Sequence, residues 1–290
     1  FNEHHDSRRC NNHRSRGVPR LRKFNKHNYP QQRHKSWRCS LLVLLFAHFC
    51  DYSRWHQKHR ICHVWQLHIT HLNHPAQQHH QHGYAAFQSC TALISIDIPN
   101  KVTSIAEWAF YNCSELRAVR IGKSVITIGE SAFHNCSHLT KIHIPASVAS
   151  IGTSAFEGCS ALDTVLAENG NAIYDSRENC NAIIETATHT LTLGCRSTII
   201  PKNIINIGYA AFSGCSSINA ITLPTSIRAI GDYAFWQCTA LSSLTCQAST
   251  VPTTGNSVFY NIPLSEATLY VPETSLEEYK TAEQWQDFGT

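Results

Sequence analysis

The amino-acid sequence predicts a solenoid, which is a stack of similar coils in which short parallel strands alternate with short helical turns. Phenylalanine recurs every 23 residues from Phe87 to Phe156, and the same interval separates Phe212 from Phe235. A cysteine follows each of these phenylalanines after three residues, and a leucine or isoleucine follows after three more. Self-similarity at a fixed period of roughly 20 to 50 residues is typical of stacked repeats.

The side chains that keep this register are expected to form the spine of the stack. One coil cannot bury its apolar side alone, whereas stacked coils bury a continuous core. Each large apolar side chain then contributes about 1.5–3 kcal/mol, and each cysteine packs as a small hydrophobic group. The predicted spine comprises Phe87, Phe110, Phe133, Phe156, Phe212, Phe235, Cys90, Cys113, Cys136, Cys159, Cys215 and Cys238.

An I-x-I, I-x-L or V-x-I segment follows in several coils, for example at 96–98, 119–121 and 221–223, and it predicts a strand. Strands are expected near residues 94–98, 117–121, 140–144, 163–166, 198–200, 219–223, 242–246 and 268–271. Segments such as 130–136 are expected to form the short helical turns. A glycine follows the last isoleucine of several repeats, where we expect it to adopt a positive φ at a corner; these glycines are Gly129, Gly152, Gly208 and Gly231.

The complete repeat reads A-F-x-x-C-x-x-L-x-x-I-x-I-P-x-x-V-x-x-I-G at residues 132–152. It resembles the BspA-type leucine-rich repeats of bacterial surface proteins, and the resemblance covers residues 83–290. The resemblance implies a right-handed leucine-rich-repeat solenoid that serves as an adhesive or recognition surface. It also implies a secreted or cell-surface location.

One repeat is enlarged. The interval between Phe156 and Phe212 is 56 residues, which is one ordinary repeat plus a repeat of 33 residues. The extra segment, 173–195, predicts a hairpin with strands at 182–186 and 190–194. Such a hairpin protruding from the solenoid would be a specificity element, and similar segments occur in the BspA-like family.

Polar residues and two cysteines flank the predicted hairpin. Asp175, Arg177 and Asn179 are expected to form local turn bonds, with a ligand contact as the alternative. Cys180 and Cys195 could pair in a disulfide.

The C-terminal segment, 273–290, predicts a helical cap that closes the open end of the stack. Ser275 is expected to cap a helix over 275–288, because a serine at this position can accept a bond from the first turn. The stripe of apolar residues at spacings of three and four would pack on the last coil; it consists of Leu276, Tyr279, Ala282, Trp285 and Phe288.

The first 82 residues have a different composition. They hold 14 of the 24 Lys and Arg, 3 of the 20 Asp and Glu, and 15 of the 19 His. Taken literally, this is a basic arm that would bind nucleic acid, heparin or metal. The arm nevertheless keeps the 23-residue period in other residue types, for example at Leu21, Leu44 and Leu67.

The genetic code offers an explanation for this period. If the reading frame is shifted one base downstream, the tryptophan codon of Trp37 becomes a glycine codon. That glycine would lie two periods before Gly83. We therefore interpret 1–82 as a frameshifted translation of further repeats, which lacks a selected core and is expected to be disordered. Sequencing the gene across the His82 codon tests this interpretation.

The outward side of the predicted strands is the candidate binding surface, since repeat proteins usually bind through such a face. One outward column is Asp97, Arg120, His143, Leu166, Ile199, Thr222, Thr245 and Tyr270, and Lys141 belongs to a second. The candidate partner-binding residues are Asp97, Arg120, Lys141, His143, Thr222, Thr245 and Tyr270. Arg120, Lys141, His143 and Tyr270 are the candidate anchors.

These observations favour a protein-binding module, with adhesion to host or other extracellular macromolecules as the function that the resemblance implies. No nucleophile elbow, P-loop, dinucleotide fingerprint or H-E-x-x-H motif is present, so we expect neither an enzyme nor a cofactor or metal. The apolar run at 41–47 is too short to span a bilayer, and we expect no nucleic-acid partner. The alternative is a scaffold or stalk that displays a further domain.

Overall fold

The computed structural model describes residues 83–289, and these residues form a stack of coils in which each coil has three sides. The first side carries a strand of three or four residues, and its outer surface is called the strand face. The second carries a two-residue strand and is called the minor face. The third carries the A-F turn and is called the turn face. Backbone hydrogen bonds link neighbouring coils on the turn face too, for example from Phe110 N–H to Ala132 O at 2.7 Å.

The strands are short and number sixteen in the described residues. In chain order they are β1 Ser95–Asp97, β2 Ser104–Ile105, β3 Ala118–Arg120, β4 Thr127–Ile128, β5 Lys141–Ile144, β6 Ser150–Ile151, β7 Thr164–Ala167, β8 Tyr174–Asp175, β9 Ile183–Glu185, β10 Thr190–Leu193, β11 Asn206–Ile207, β12 Ala220–Leu223, β13 Ala229–Ile230, β14 Ser243–Cys246, β15 Thr253–Thr254 and β16 Thr268–Tyr270. One α-helix, α1 (Leu276–Thr281), follows β16.

The strand face contains two separate parallel sheets. The first has the order β1-β3-β5-β7, and the second has the order β12-β14-β16. Seven of the eight strands predicted for this face are confirmed, but the prediction of a strand at 198–200 is wrong. Side chains take the place of that strand beside β7. Val165 N–H donates to Asn181 Oδ1 at 2.7 Å, and Ala167 N–H donates to Ser176 Oγ at 2.8 Å.

The repeat spine forms as predicted, and its rings stack between coils. Centroid distances are 5.2 Å for Phe87–Phe110, 5.0 Å for Phe110–Phe133 and 5.3 Å for Phe133–Phe156. Of these rings, Phe110 and Phe133 are fully buried, whereas Phe87 is half-buried in the first described coil. Parallel stacking of buried rings stabilises each coil against the next.

The repeat cysteines do more than fill space. The thiol of Cys136 donates to Phe110 O at 3.2 Å, and the thiol of Cys159 donates to Phe133 O at 3.2 Å. The cysteine is therefore suited to this position because it combines a small apolar volume with a weak donor for a buried carbonyl.

The reason given above for the repeat glycines is wrong. Gly129 and Gly152 do not have positive φ values. A Cβ on Gly129 would lie 2.5 Å from Glu107 N, and one on Gly152 would lie 2.5 Å from Glu130 N. These glycines thus allow two backbones to approach closely. The left-handed residues come two positions later, as at Ser131 with φ 50°, so the predicted helical turns form as successive reverse turns.

The enlarged repeat is built into the stack rather than protruding from it. β9 and β10 form the predicted antiparallel pair, and they continue the minor-face sheet in the order β15-β13-β11-β10-β9-β8. Two consecutive residues of β9 pack in two different hydrophobic clusters of the core. Ile183 packs with the N-terminal coils and Ile184 with the C-terminal coils, and both are fully buried.

The C-terminal cap differs in length from the prediction. α1 ends at Thr281, and Ser275 does not cap it, because the Ser275 hydroxyl donates instead to Ser249 O. Trp285 and Phe288 still bury their rings against Phe259, at centroid distances of 5.4 and 5.1 Å. Within residues 83–289 no helix has the length and apolar character to cross a membrane. The predictions for residues 1–82 lie outside the described residues.

Candidate functional site

Apart from Ile199, which belongs to neither sheet, the outward column predicted for the strand face lies on the exposed side of the two sheets. Its residues are in register, since Asp97 pairs with Arg120 in one sheet and Thr245 pairs with both Thr222 and Tyr270 in the other. Parallel pairing without a shift places every outward side chain beside its counterpart in the next coil. The strand face therefore carries aligned rows of outward side chains on each side of the break between the sheets.

The N-terminal sheet carries the charged part of the strand face. Arg120 Nη2 lies 2.8 Å from Asp97 Oδ2, and both side chains are more than two-thirds exposed, at 78% and 69%. The hydrogen bond from Arg120 lowers the pKa of Asp97 below its ordinary value. Because the pair is fully hydrated, a partner can replace it at little cost.

Lys141 and His143 lie on β5, next to this pair. Both side chains are exposed, and in the part of the chain that the structure describes neither belongs to an ion pair. Lys141 is in register with Ala118 and Thr164, so no carboxylate lies beside it along the sheet. Its ammonium group is available to an acceptor on a partner.

Leu166 and Ile199 are apolar side chains at the middle of the column. They are 39% and 73% exposed. Ile199 follows a break in the strand face, and its N–H donates to Cys180 O at 3.0 Å instead of joining a sheet. Sequence reasoning placed both residues in the outward column but left them out of the candidate binding residues. Their apolar character at an exposed repeat position was the signal that could have identified them.

The C-terminal sheet carries hydroxyl groups. Thr222, Thr245 and Tyr270 follow one another in register, and Tyr270 is 56% exposed. This part of the face can donate and accept hydrogen bonds without a formal charge. The complete face thus has a cationic end, an apolar middle and a hydroxyl-rich end.

The buried thiols are unsuited to nucleophilic chemistry. Burial raises the pKa of Cys180 to about 11 and that of Cys238 to about 12. A thiol in this state is protonated at neutral pH and is inert. Cys180 and Cys195 are both free, so the disulfide considered above is not formed. Across 83–289 no group of His, Cys, Asp and Glu is arranged to hold a metal ion.

Two of the polar residues at the start of the insertion, Asp175 and Arg177, bond to one another. Arg177 Nε donates to both carboxylate oxygens of Asp175, at 2.9 and 3.0 Å. This hydrogen bonding raises the pKa of Arg177. Asn179 lies in the same tight turn with a left-handed φ of 52°. The Asp175–Arg177 pair matches the expected local turn bonding.

Comparison with known proteins identifies the repeat. The model of the BspA type leucine-rich repeat region matches residues 80–189 and 182–282, in six copies. A leucine-rich cell surface protein from Faecalibacterium prausnitzii A2-165 is 32% identical, and the match covers 61% of this chain and 47% of that protein, with a TM-score of 0.52. The pneumococcal vaccine antigen PcpA is 22% identical, and the match covers 62% of this chain and 51% of that protein, with a TM-score of 0.48. This chain therefore spans about half the length of both structures, and no curated protein matches it significantly.

Proposed function

Because the chain belongs to the BspA-type leucine-rich repeat family, we propose that it is a protein-binding module of the bacterial cell surface that docks extracellular macromolecules on its strand face. Repeats of this family are typically structural or binding modules. The surface location is supported by the similarity to a leucine-rich cell surface protein. Adhesion to host or other extracellular material is the role that this combination fits best.

The observation that carries the proposal is the apolar middle of the strand face. Leu166 and Ile199 are exposed at 39% and 73% although the same column is polar on both sides of them. Interfaces commonly have an apolar core surrounded by a polar rim, and a few central side chains supply most of the affinity. We propose that these two residues form the core of the interface.

The residues around this core supply specificity. Arg120, Lys141 and His143 lie on the N-terminal side, and Tyr270 lies at the C-terminal end of the column. Rim charges govern the rate and selectivity of association more than its affinity. We therefore expect the apolar pair to dominate affinity, with the four polar anchors making smaller contributions.

The test uses the full chain and a reconstituted extracellular-matrix gel as the binding surface. The double variant Leu166→Ala with Ile199→Ala should weaken binding by about tenfold or more, as expected for truncated central residues. The matched control is Ile126→Ala with Ile205→Ala, which removes two exposed isoleucines from the minor face (50% and 38% exposed). The control should bind as the wild type does.

Alanine at all four anchors forms the second arm of the experiment. Replacing Arg120, Lys141, His143 and Tyr270 together should slow association and reduce its dependence on salt. If neither the apolar pair nor the four anchors affects binding to the gel, the strand face is not the binding surface.

A further inference from the structure

The turn face has a composition that distinguishes it from the other two sides. The seven turn segments contain no lysine or arginine; they are residues 83–93, 106–116, 129–139, 152–162, 208–218, 231–241 and 255–262. Carboxylates do occur there, at Glu107, Glu115, Glu130, Glu157 and Asp232. The lysines and arginines of the described coils therefore all lie elsewhere, which leaves this side with a negative potential.

Aromatic rings run along the turn face in the N-terminal coils. The N-terminal strip consists of Tyr84, Trp108, Tyr111 and His134, with centroid distances of 6.4 Å, 4.5 Å and 4.9 Å between successive rings. Tyr84 is 50% exposed, and the other three rings are half-buried. Glu157 continues the line, because its Oε2 lies 3.8 Å from His134 Nδ1. The strip thus crosses three coils and ends at a carboxylate.

A second group of rings occupies the turns of the C-terminal coils. Tyr209 meets Tyr233 edge to face at 5.7 Å, and Trp236 stacks on Tyr260 at 6.1 Å. Tyr209 and Tyr260 are 45% and 59% exposed. Asp232 adjoins Tyr233 in sequence, so here too a carboxylate accompanies the rings.

The fold does not require aromatic side chains at these places. Trp108 occupies the position two residues before the spine phenylalanine, where other coils have Ser131 or Ser154. Tyr111 occupies the position just after the spine phenylalanine, where other coils have Glu157 or Ser213. The buried core is supplied by the spine itself. Half-exposed tyrosine and tryptophan at replaceable positions are typical of an interface, where these residues are enriched.

We propose that the turn face is a second docking surface, whose partner is a basic protein segment rich in arginine and lysine. Guanidinium groups form strong hydrogen bonds with carboxylates and also pack against tyrosine and tryptophan. The turn face offers both kinds of group, and of its carboxylates Glu115 is already paired with Arg117, at 3.5 Å, whereas Glu107 and Glu130 are exposed. A cationic segment lying across the coils from Tyr84 to Glu157 meets a ring or a carboxylate in every coil, and meets both in the coils of Trp108 and His134.

This surface is separate from the strand face. The strand face of the same coils carries Arg120 and Lys141, which would repel a basic segment. The two sides therefore select partners of opposite charge, and one molecule can hold both at the same time. Binding to the turn face can consequently be tested independently of binding to the strand face.

The experiment measures binding of a fluorescent octa-arginine peptide to the full chain, with octa-glutamate as the negative probe. The variant Glu107→Gln with Glu130→Gln should weaken octa-arginine binding about fivefold, the effect expected of two exposed charges. The matched control is Glu273→Gln with Glu278→Gln, which removes the same charge from two exposed residues of the C-terminal cap. The control should change binding by less than about twofold.

The aromatic contribution needs its own pair of variants. Trp108→Ala should weaken binding about fivefold, the scale of a partly desolvated cation–ring contact. Tyr270→Ala on the strand face should have no effect. Circular dichroism and the thermal midpoint establish that each variant is folded. The double variant Leu166→Ala with Ile199→Ala should bind octa-arginine normally, which separates this result from the proposed function.

Two results would overturn the inference. If the cap variant loses as much affinity as the turn-face variant, the affinity for octa-arginine depends only on the net charge of the protein and not on the turn face. If Trp108→Ala and Tyr270→Ala have equal effects, the rings do not contribute to binding.

Discussion

The coils before the enlarged repeat and the coils after it are built on one pattern, but they meet differently on each of the three sides. On the strand face the two sheets remain separate, and on the minor face β2-β4-β6 also stays separate from the C-terminal sheet, which the inserted strands β8, β9 and β10 extend. On the turn face the coils of Phe156 and Phe212 touch, because Gly158 N–H donates to Ser213 O at 3.3 Å. The three sides of a coil can therefore be continued or interrupted independently of one another.

The phenylalanine column shows what the junction requires. Phe133 lies between two stacked rings, whereas Phe212 stacks only on Phe235, at 5.1 Å. Gly194 lies on the other side of Phe212, and a Cβ on that glycine would be 2.1 Å from the ring. The enlarged repeat thus supplies bare backbone where an ordinary coil supplies a phenylalanine.

The largest effect is expected from truncating the column inside the N-terminal coils. Phe133→Ala should lower the free energy of unfolding by about 3–5 kcal/mol, because a fully buried ring is lost and a cavity remains. Phe212→Ala should cost about 1 kcal/mol less, since it removes one stacked ring pair instead of two. Chemical denaturation followed by circular dichroism measures both. If Phe212→Ala lowers the free energy of unfolding as much as Phe133→Ala or more, the contact of Phe212 with Gly194 stabilises the protein as much as a second stacked ring does.

The second effect concerns the junction itself. Gly194→Ala should destabilise the protein by about 1–3 kcal/mol, the usual range for overpacking a buried site. In a Phe212→Leu background the same substitution should cost much less, because the ring atoms that the methyl group meets are gone. This double-mutant cycle isolates the coupling between the two positions. Additive losses would contradict the contact.

The repeat pattern predicted the coils well because periodic burial determines them directly. Spacing alone located the spine and seven of the strands on the strand face. It failed at 198–200, where the register of Ile199 suggested a strand, but the N–H groups of β7 already donate hydrogen bonds to the side chains of Asn181 and Ser176. Hydrogen bonds between side chains and backbone in an irregular segment do not recur at a fixed interval. A search for repeats in the sequence therefore does not detect them.

The candidate surfaces show a similar limit. Alternation along a strand determines which side chains point outward, so the sequence could propose an outward column, but it placed Ile199 on a strand that does not form. The candidate binding residues were chosen mainly for their charge or polarity. The exposed apolar residues Leu166 and Ile199 were therefore left out. The turn-face rings escaped notice because Tyr84, Trp108 and Tyr111 come from three different repeat positions. Only the packing of neighbouring coils brings them into one line.

The third effect tests how the edge of the N-terminal sheet is closed. Asn181 accepts a hydrogen bond from Val165 N–H and donates to Asp163 O at 2.7 Å. Asn181→Asp keeps the acceptor and removes the donor, which should cost roughly 1–2 kcal/mol in the free energy of unfolding. Asn219→Asp, an exposed asparagine in the segment before β12, is the control and should be nearly neutral. Equal losses at the two sites would show that Asn181 does not close the edge.

The smallest effect is a pH dependence confined to the N-terminal coils. His134 is only 20% exposed, between Tyr111 and Glu157, and burial lowers its pKa, against an opposing contribution from Glu157. In the unfolded chain the imidazole is protonated near its ordinary pKa of 6.5, whereas the folded protein resists protonation. Stability should therefore fall as the pH drops below about 6.5, and the loss should level off below the folded pKa.

Comparison of variants separates this contribution from that of other titrating groups. His134→Asn should lose less stability than the wild type between pH 7.5 and 5.5, when unfolding is measured by denaturant titration at each pH. Glu157→Gln should steepen the wild-type loss, because it removes the carboxylate that favours the protonated ring. His138→Asn alters an exposed histidine at 52% side-chain exposure and should leave the slope unchanged. If neither His134→Asn nor Glu157→Gln changes the slope of stability against pH, the pH sensitivity arises outside this strip of rings.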